Sequence, residues 1–136
     1  MRILDTKSFS VPGYKAWGIS CGIKKNEKKD LAIIYSDREA SVAGVFTKNR
    51  VKAAPVLLDM ARIRSGKGQV IVANSGCANA CTGKRGLADA RETSEAVARE
   101  LGIKPDAVLV ASTGVIGEFL PLTKVDLPNR KINLTF

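Results

Sequence analysis

The chain has 136 residues, a net charge of +9, 45% hydrophobic residues, no histidine and three cysteines. A chain of this size buries roughly two thirds of its unfolded surface, so it can form a core without disulfides or a structural metal. Without histidine it cannot by itself form a Ser-His-Asp triad, a Cys-His pair or a His-ligated metal site. Three cysteines are too few for an all-cysteine zinc or iron–sulfur site, and we expect no metal and no cofactor.

The sequence contains no signal for a membrane or for export. No run approaches the roughly 20 apolar residues of a membrane span, and the first residues lack the long apolar segment of a secretory signal. The low density of cysteine is typical of a reducing compartment. We therefore expect a cytoplasmic protein that does not bind a membrane.

The positive charge is concentrated in the first half, where residues 1–67 hold 14 Lys and Arg against 6 Asp and Glu. The densest cluster, residues 24–30, contains no aromatic side chain on which a base could stack, so we expect no nucleic-acid partner. We interpret the cluster as a solvated turn. A basic half can still attract small anions or an acidic partner chain.

Short strands are predicted first. Residues 15–23 and 30–35 are rich in strand-forming residues and flank the lysine-rich cluster, which predicts a hairpin. Residues 40–46 predict a third strand. Residues 55–60 form a short apolar run that fits either a strand or the start of a helix. Residues 69–73 are a compact apolar run and predict a buried strand.

A helix is predicted next, because one apolar stripe recurs with a period near 3.6 residues. The stripe consists of Leu87, Ala90, Ser94, Val97, Ala98 and Leu101. Gly102 can adopt the positive φ that ends a helix, and Pro105 prevents its continuation. Residues 107–111 then predict another buried strand.

The order of these elements predicts a mixed α/β class. Antiparallel hairpins come first, and the strand, helix and strand between residues 69 and 112 form a crossover unit with parallel neighbours. Residues 124–136 show no sustained period and predict a loose end.

Two glycine-containing segments, residues 74–83 and 112–117, follow the last two predicted strands. Loops at strand ends are where open α/β sheets bind ligands, although either segment could also be an ordinary turn. The first segment is not a Walker phosphate loop, because Ala78 and Arg85 stand where that motif needs glycine and Ser or Thr.

The second segment contains the candidate catalytic residues, Thr113 and Gly114. A threonine hydroxyl and the next backbone N–H at a strand end can form a two-donor pocket for a negative oxygen. Such an oxygen develops when an acyl carbonyl is attacked.

Several segments together resemble the ornithine acetyltransferase family of arginine biosynthesis, also called glutamate N-acetyltransferase. They include Asn74-Ser75-Gly76 and the run Ser112-Thr113-Gly114-Val115-Ile116-Gly117-Glu118. The other matching segments are residues 12–19, 22–24, 30–34, 43–49, 53–56, 79–83 and 120–121. The segments occur in the family order over residues 12–121.

The resemblance implies a layered α/β sandwich in which two chains, produced by self-cleavage, share one core. The second (beta) chain would begin with a threonine nucleophile whose free amine can act as the local base. The acetyl group would pass from N-acetylornithine to glutamate through that threonine, and some members also use acetyl-CoA. Thr113 and Gly114 match the family's oxyanion pair. The resemblance also implies an oligomer of paired heterodimers.

The resemblance ends before the chain does. We expect residues 1–121 to be the amino-terminal portion of the family's domain and residues 122–136 to be a divergent tail. The chain would then be a fragment of the first (alpha) subunit or a truncated product, without the nucleophile and without activity alone. The alternatives are a non-catalytic oligomeric module that binds an anionic ligand or protein partner, and a related self-processed hydrolase.

Overall fold

The computed structural model describes residues 11–25, 27–125, 132 and 134. Within that part of the chain, a four-stranded sheet carries two helices. The strands are β1 (Tyr14–Ile19), β2 (Leu31–Ser41), β3 (Lys67–Cys77) and β4 (Val108–Val115), and the helices are α1 (Ala54–Arg62) and α2 (Gly83–Leu101). The sheet order is β1-β2-β3-β4, with β3 and β4 parallel and the other pairs antiparallel. The predicted mixed α/β class is confirmed.

Both helices lie on one face of the sheet, where α1 and α2 contact each other and β4. Ile33, Val72 and Val108, one from each of three adjacent strands, are fully buried in the hydrophobic core. Residues of opposite parity on the strands point to the other face, which is more exposed. No helix in the described ranges is long and apolar enough to span a membrane.

Helix α2 confirms the stripe that its sequence predicts. Ala90, Ser94 and Val97 are 0% exposed, and the helix ends before Gly102, which has a φ of 66°. The Gly102 N–H donates to the Ala98 carbonyl, so the left-handed residue also satisfies a carbonyl of the last turn. The helix begins at Gly83, one turn before the first residue of the stripe.

The hairpin of β1 and β2 is also confirmed, with its connection at the lysine-rich cluster. Strand β1 is shorter than predicted because the chain curls around Asp30 after Ser20. The Asp30 carboxylate accepts hydrogen bonds from the N–H groups of Cys21, at 2.7 Å, and Lys24, at 2.9 Å. Burial acts to raise the pKa of Asp30, but these backbone hydrogen bonds outweigh it and hold the pKa below its ordinary value.

The prediction of a separate strand over residues 40–46 is wrong. Strand β2 continues past a register shift between Tyr35 and Ala40 and includes Ala40 and Ser41 as its last residues. The apolar residues that follow have no strand to pair with, and Val45 is 100% exposed. Residues 55–60, which fitted a strand or a helix start, lie in α1, with Pro55 in its first turn.

The prediction of a loose end fails for the residues of that segment that the structure describes. Val125 is 4% exposed, and the Lys124 ammonium donates to the Gly22 carbonyl. Ile132 and Leu134 also pack against the core. Apolar side chains at irregular spacing cover the core here without a regular period. The rest of the predicted loose end, residues 126–131, 133 and 135–136, lies outside the described residues.

Side chains of α1 cover the free edge of β4. The Val110 N–H donates to both carboxylate oxygens of Asp59, at 3.0 and 3.2 Å, and Arg62 donates to the Val108 carbonyl at 2.6 Å and to the Ser94 hydroxyl at 2.8 Å. Asp59 and Arg62 thus replace a neighbouring strand at this edge. Burial raises the pKa of Asp59 to about 6, although the Val110 hydrogen bond and the Arg62 charge act in the opposite direction.

We expect the Asp59→Asn variant to lose a pH dependence that the wild type has. The pKa of Asp59 is about 6 in the folded chain and 3.8 in the reference state, so the unfolded chain releases this proton first as pH rises. The stability conferred by protonated Asp59 is present below pH 3.8 and is lost as pH rises to about 6. Between pH 3.8 and about 6, the free energy of unfolding of the wild type minus that of Asp59→Asn should fall by about 1 to 2 kcal/mol. This value is reduced from that of a fully buried group because the Asp59 side chain is partly exposed.

Urea unfolding followed by circular dichroism at a series of pH values between those limits measures this difference. Asp106→Asn is the matched control, because that carboxylate faces Arg62 from the solvent side at 3.8 Å and is 93% exposed. If the difference in free energy of unfolding between wild type and Asp59→Asn stays constant over this pH range, the raised pKa of Asp59 is contradicted.

Candidate active site

The two glycine-containing segments that follow the strands lie side by side. Strands β3 and β4 are parallel neighbours, and their register pairs Asn74 with Ser112 and Gly76 with Gly114. The pairing continues beyond the strands, since the Ala78 N–H donates to the Val115 carbonyl at 2.9 Å. The structure therefore brings together two segments that are about 40 residues apart in the sequence.

The hydrogen bonds of β4 indicate which edge each residue faces. The Val115 carbonyl faces β3, whereas the Val110 N–H faces the opposite, free edge, where Asp59 accepts it. Because successive residues of a regular parallel strand direct their backbone groups to opposite edges, this alternation assigns the N–H of Gly114, four residues after Val110, to the free edge.

Thr113 and Gly114 are both exposed. Among the described residues, none forms a hydrogen bond with the Thr113 hydroxyl. The Thr113 hydroxyl is thus a donor that solvent, or a ligand, can reach, and the N–H of the exposed residue Gly114 follows it on the same strand.

The backbones of β3 and β4 approach very closely at Gly76 and Gly114. Gly114 has a φ of 133°, and a Cβ there would overlap the Gly76 carbonyl carbon and lie 2.6 Å from the Cys77 nitrogen. Gly76 has a φ of 112°, and a Cβ there would lie 2.8 Å from a methyl group of Ile23. At Gly114 only glycine fits without a shift of the backbone, whereas at Gly76 the Ile23 side chain would have to move and the positive φ is strained for any other residue.

The chain after Thr113 and Gly114 folds back on the end of β3. The Gly117 N–H donates to the Ala80 carbonyl at 2.9 Å, and the Cys77 thiol lies 3.4 Å from the Glu118 carbonyl oxygen. Leu120 is buried, and the Arg85 guanidinium stacks 3.9 Å from the centre of the Phe119 ring. These contacts hold the strand-end loop at both of its ends.

The site supplies hydrogen-bond donors but little acid–base chemistry. Residues 74–83 contain only two ionisable side chains, both cysteines, and residues 112–117 contain none. The carboxyl pKa values that are shifted belong to residues elsewhere: Asp30, Asp59 and Asp89. In the described part of the chain, no group of three or more Cys, Asp and Glu residues could hold a metal ion. Two adjacent hydrogen-bond donors can stabilise a negative oxygen.

One feature of the site was not predicted from the sequence. Asn74 is 6% exposed, and its side chain joins the ends of both strands: its amide donates to the Cys77 carbonyl at 2.8 Å, and its oxygen accepts from the Ser112 hydroxyl at 2.5 Å. The position of Asn74 in the strand was the signal that could have identified it. Asn74 continues the series of Val70 and Val72, so a polar side chain falls where the strand pattern predicts a buried one.

This geometry defines an α/β protein with exposed paired donors at the ends of parallel strands. The sequence model of the ArgJ family matches residues 15–133, and the chain belongs to that family. The resemblance drawn from the sequence segments is thereby confirmed.

The chain is similar to curated relatives over most of its own length. It is 56% identical over 125 residues to the arginine biosynthesis bifunctional protein ArgJ of Caldanaerobacter subterraneus subsp. tengcongensis, covering 92% of this chain and 31% of the relative. It is 53% identical over 126 residues to ArgJ 1 of Clostridium acetobutylicum, with the same coverage. The chain therefore spans about a third of the length of these relatives.

Two solved structures share the fold. The ArgJ structure from Bacillus halodurans superposes with a TM-score of 0.85 at 44% identity and covers 90% of this chain and 64% of that chain. The ornithine acetyltransferase of Mycobacterium tuberculosis, solved in complex with ornithine, superposes with a TM-score of 0.82 at 42% identity and covers 84% of this chain and 62% of that one.

Proposed function

We propose that this chain is the amino-terminal part of an acetyltransferase that moves acetyl from N-acetylornithine to glutamate in arginine biosynthesis. The observation that carries the proposal is a pair of exposed donors, at Thr113 and Gly114, on the strand ends of a chain that belongs to the ArgJ family. The ornithine in the Mycobacterium tuberculosis structure supports the substrate class. Use of acetyl-CoA as a second donor and a cytoplasmic location are part of the same proposal.

In the proposed reaction, a threonine at the start of the beta chain attacks the acetyl carbonyl of N-acetylornithine, and its own amine takes the hydroxyl proton. The carbonyl oxygen becomes negative, and the Thr113 hydroxyl and the Gly114 N–H donate to it. The C–N bond then breaks, ornithine leaves with the proton, and acetyl stays on the threonine oxygen. In the second half-reaction glutamate's amine attacks this ester, the C–O bond to the threonine breaks, and the proton that the amine loses returns to the threonine oxygen as N-acetylglutamate leaves.

The apolar side chains on the exposed face of the sheet support an interface with a partner chain. Tyr14, Ile34 and Ile71, which lie on three adjacent strands away from the helices, are 44%, 49% and 43% exposed. Apolar side chains grouped in this way are typical of an interface. We propose that the beta chain and the rest of the alpha chain cover this face, because the relatives have about two thirds of their length beyond the matched part. Assembly of such units into an oligomer, and the division of this chain at residue 121, belong to the same proposal.

A chimera tests the proposed function. This chain replaces the matched 125 residues of the Caldanaerobacter relative, and the product is assayed for acetyl transfer from N-acetylornithine to glutamate beside the unmodified relative. We expect transfer within about tenfold of the relative, because the two sequences are 56% identical over this region. A folded chimera of the same oligomeric size without transfer contradicts the proposal.

The isolated chain is expected to show no acetyl transfer in the same assay. It supplies donors for the transition state, but the threonine nucleophile and its amine lie on the absent beta chain. Product formation is followed by mass spectrometry with each acetyl donor in turn. Turnover by the purified chain at the rate of the chimera would show that the nucleophile lies within these 136 residues.

A further inference from the structure

Asn74 is a buried polar side chain in an apolar series. Val70 and Val72, the preceding residues on the same face of β3, are 2% and 1% exposed and pack in the core. At the next position on this face the side-chain amide of Asn74 is buried instead. Its nitrogen donates to the Cys77 carbonyl, and its oxygen accepts from the Ser112 hydroxyl. Burying an amide is costly unless its hydrogen bonds are made, and an apolar residue would fill this position without that requirement. The polar side chain therefore has a role other than filling space.

The two hydrogen bonds of Asn74 lie on either side of the irregular backbone at the site. Ser112 immediately precedes Thr113, and Cys77 immediately follows Gly76, the residue paired with Gly114. Gly76 and Gly114 both have positive φ, and glycine has more accessible backbone conformations than any other residue. Besides the close packing of the two backbones, side-chain hydrogen bonds across such a strand end restrain the direction of its donors. The hydrogen bonds of Asn74 provide this restraint across the strand pair.

We propose that Asn74 is a positioning residue, which acts through Ser112 to fix the directions of the Thr113 hydroxyl and the Gly114 N–H. This inference rests on the proposed function, since it assigns Asn74 to the oxyanion donors of that reaction. Asn74 itself contacts no substrate in this account. It ties the residue before Thr113 to the end of β3, so that the two donors keep their geometry before the substrate arrives.

The first experiment uses the full chain and measures backbone order by ¹⁵N relaxation. Ser112→Ala removes the hydroxyl that binds Asn74 and leaves the amide in place, so it disturbs the core less than a change of Asn74 itself. We expect the order parameter of Gly114 to be about 0.85 in the wild type and below about 0.6 in Ser112→Ala. Amide exchange at Ala78 and Gly117, whose N–H groups bridge the same strand ends, should rise about tenfold.

Two further variants separate positioning from a general loss of stability. Ser112→Thr keeps the hydroxyl and should restore the wild-type values. Thr93→Val removes another hydrogen-bonded hydroxyl, which donates to the Asp89 carbonyl at 2.8 Å within α2, and should leave Gly114 unchanged. Equal order at Gly114 in wild type and Ser112→Ala overturns the proposal, and so does a flexible Gly114 in the wild type.

The second experiment places the same variants in the chimera. Ser112→Ala should lower kcat about tenfold with KM unchanged, because the donors act in the transition state, and Ser112→Thr should restore kcat. An unchanged kcat in Ser112→Ala overturns the positioning role even if the order of Gly114 falls. If the unmodified chimera is inactive, the proposed acetyltransferase function fails. The role of Asn74 in ordering the strand ends is then still decided by the relaxation data on the full chain.

Discussion

Gly114→Ala is expected to lower the free energy of unfolding of this chain by about 3 kcal/mol or more. The residue has a φ of 133°, where an L side chain is strained, and its Cβ would overlap the Gly76 carbonyl and lie 2.6 Å from the Cys77 nitrogen. Neither group can move without breaking the pairing of β3 with β4 at Cys77 and Val115. Urea unfolding at one pH, followed by circular dichroism, measures the change.

Gly117→Ala is the matched control for this prediction. Gly117 lies three residues further along and also has a positive φ, of 84°, but nothing lies within 4 Å of a Cβ there. Its substitution should cost about 1 kcal/mol from backbone strain alone. Equal losses in the two variants would show that the close approach of β3 and β4 is not a constraint on the folded chain.

Thr113→Val is expected to lower kcat for acetyl transfer about 10²- to 10³-fold in the chimera, the typical loss for one oxyanion donor. Valine keeps the shape of the side chain but removes the hydroxyl. Because Thr113 is exposed and its hydroxyl is unpaired among the described residues, the free energy of unfolding should change by less than about 0.5 kcal/mol. Steady-state kinetics with N-acetylornithine and glutamate measure kcat, and urea unfolding measures the change in stability.

Thr113→Ser should retain most of the activity, since it keeps the hydroxyl. Thr123→Val, at an exposed position in the turn after Leu122, controls for the loss of a surface hydroxyl and should have wild-type kcat. A Thr113→Val chimera with unchanged kcat would remove the hydroxyl from the proposed mechanism. The Gly114 N–H would then be the only one of the two proposed donors that remains in the mechanism.

The parts of the fold that were predicted correctly are those governed by local pattern. The stripe of α2 repeats over several turns and ends at a glycine, so both the helix and its C-terminal end could be predicted. The hairpin of β1 and β2 follows from two apolar runs around a charged turn. The strand predicted over residues 40–46 was wrong because a strand needs a neighbour, and the sequence of one segment does not show whether a neighbour is present.

The contacts that support the site could not be predicted, because they join residues far apart in the chain. Asp59 binds the Val110 N–H across 51 positions, and Asn74 binds Ser112 across 38. Neither pair has a spacing that sequence periodicity would detect. Thr113 and Gly114 could be proposed because both donors are adjacent residues, whereas the side chain that holds them becomes visible only when β3 and β4 are paired.

A crystal structure of the chimera, trapped with acetyl on its threonine, tests the assigned role of Thr113 and Gly114 most directly. We predict that the acetyl oxygen lies about 2.7 to 3.1 Å from both the Thr113 hydroxyl oxygen and the Gly114 nitrogen. An acetyl oxygen more than about 4 Å from both atoms, held instead by donors of the second chain, would contradict the account.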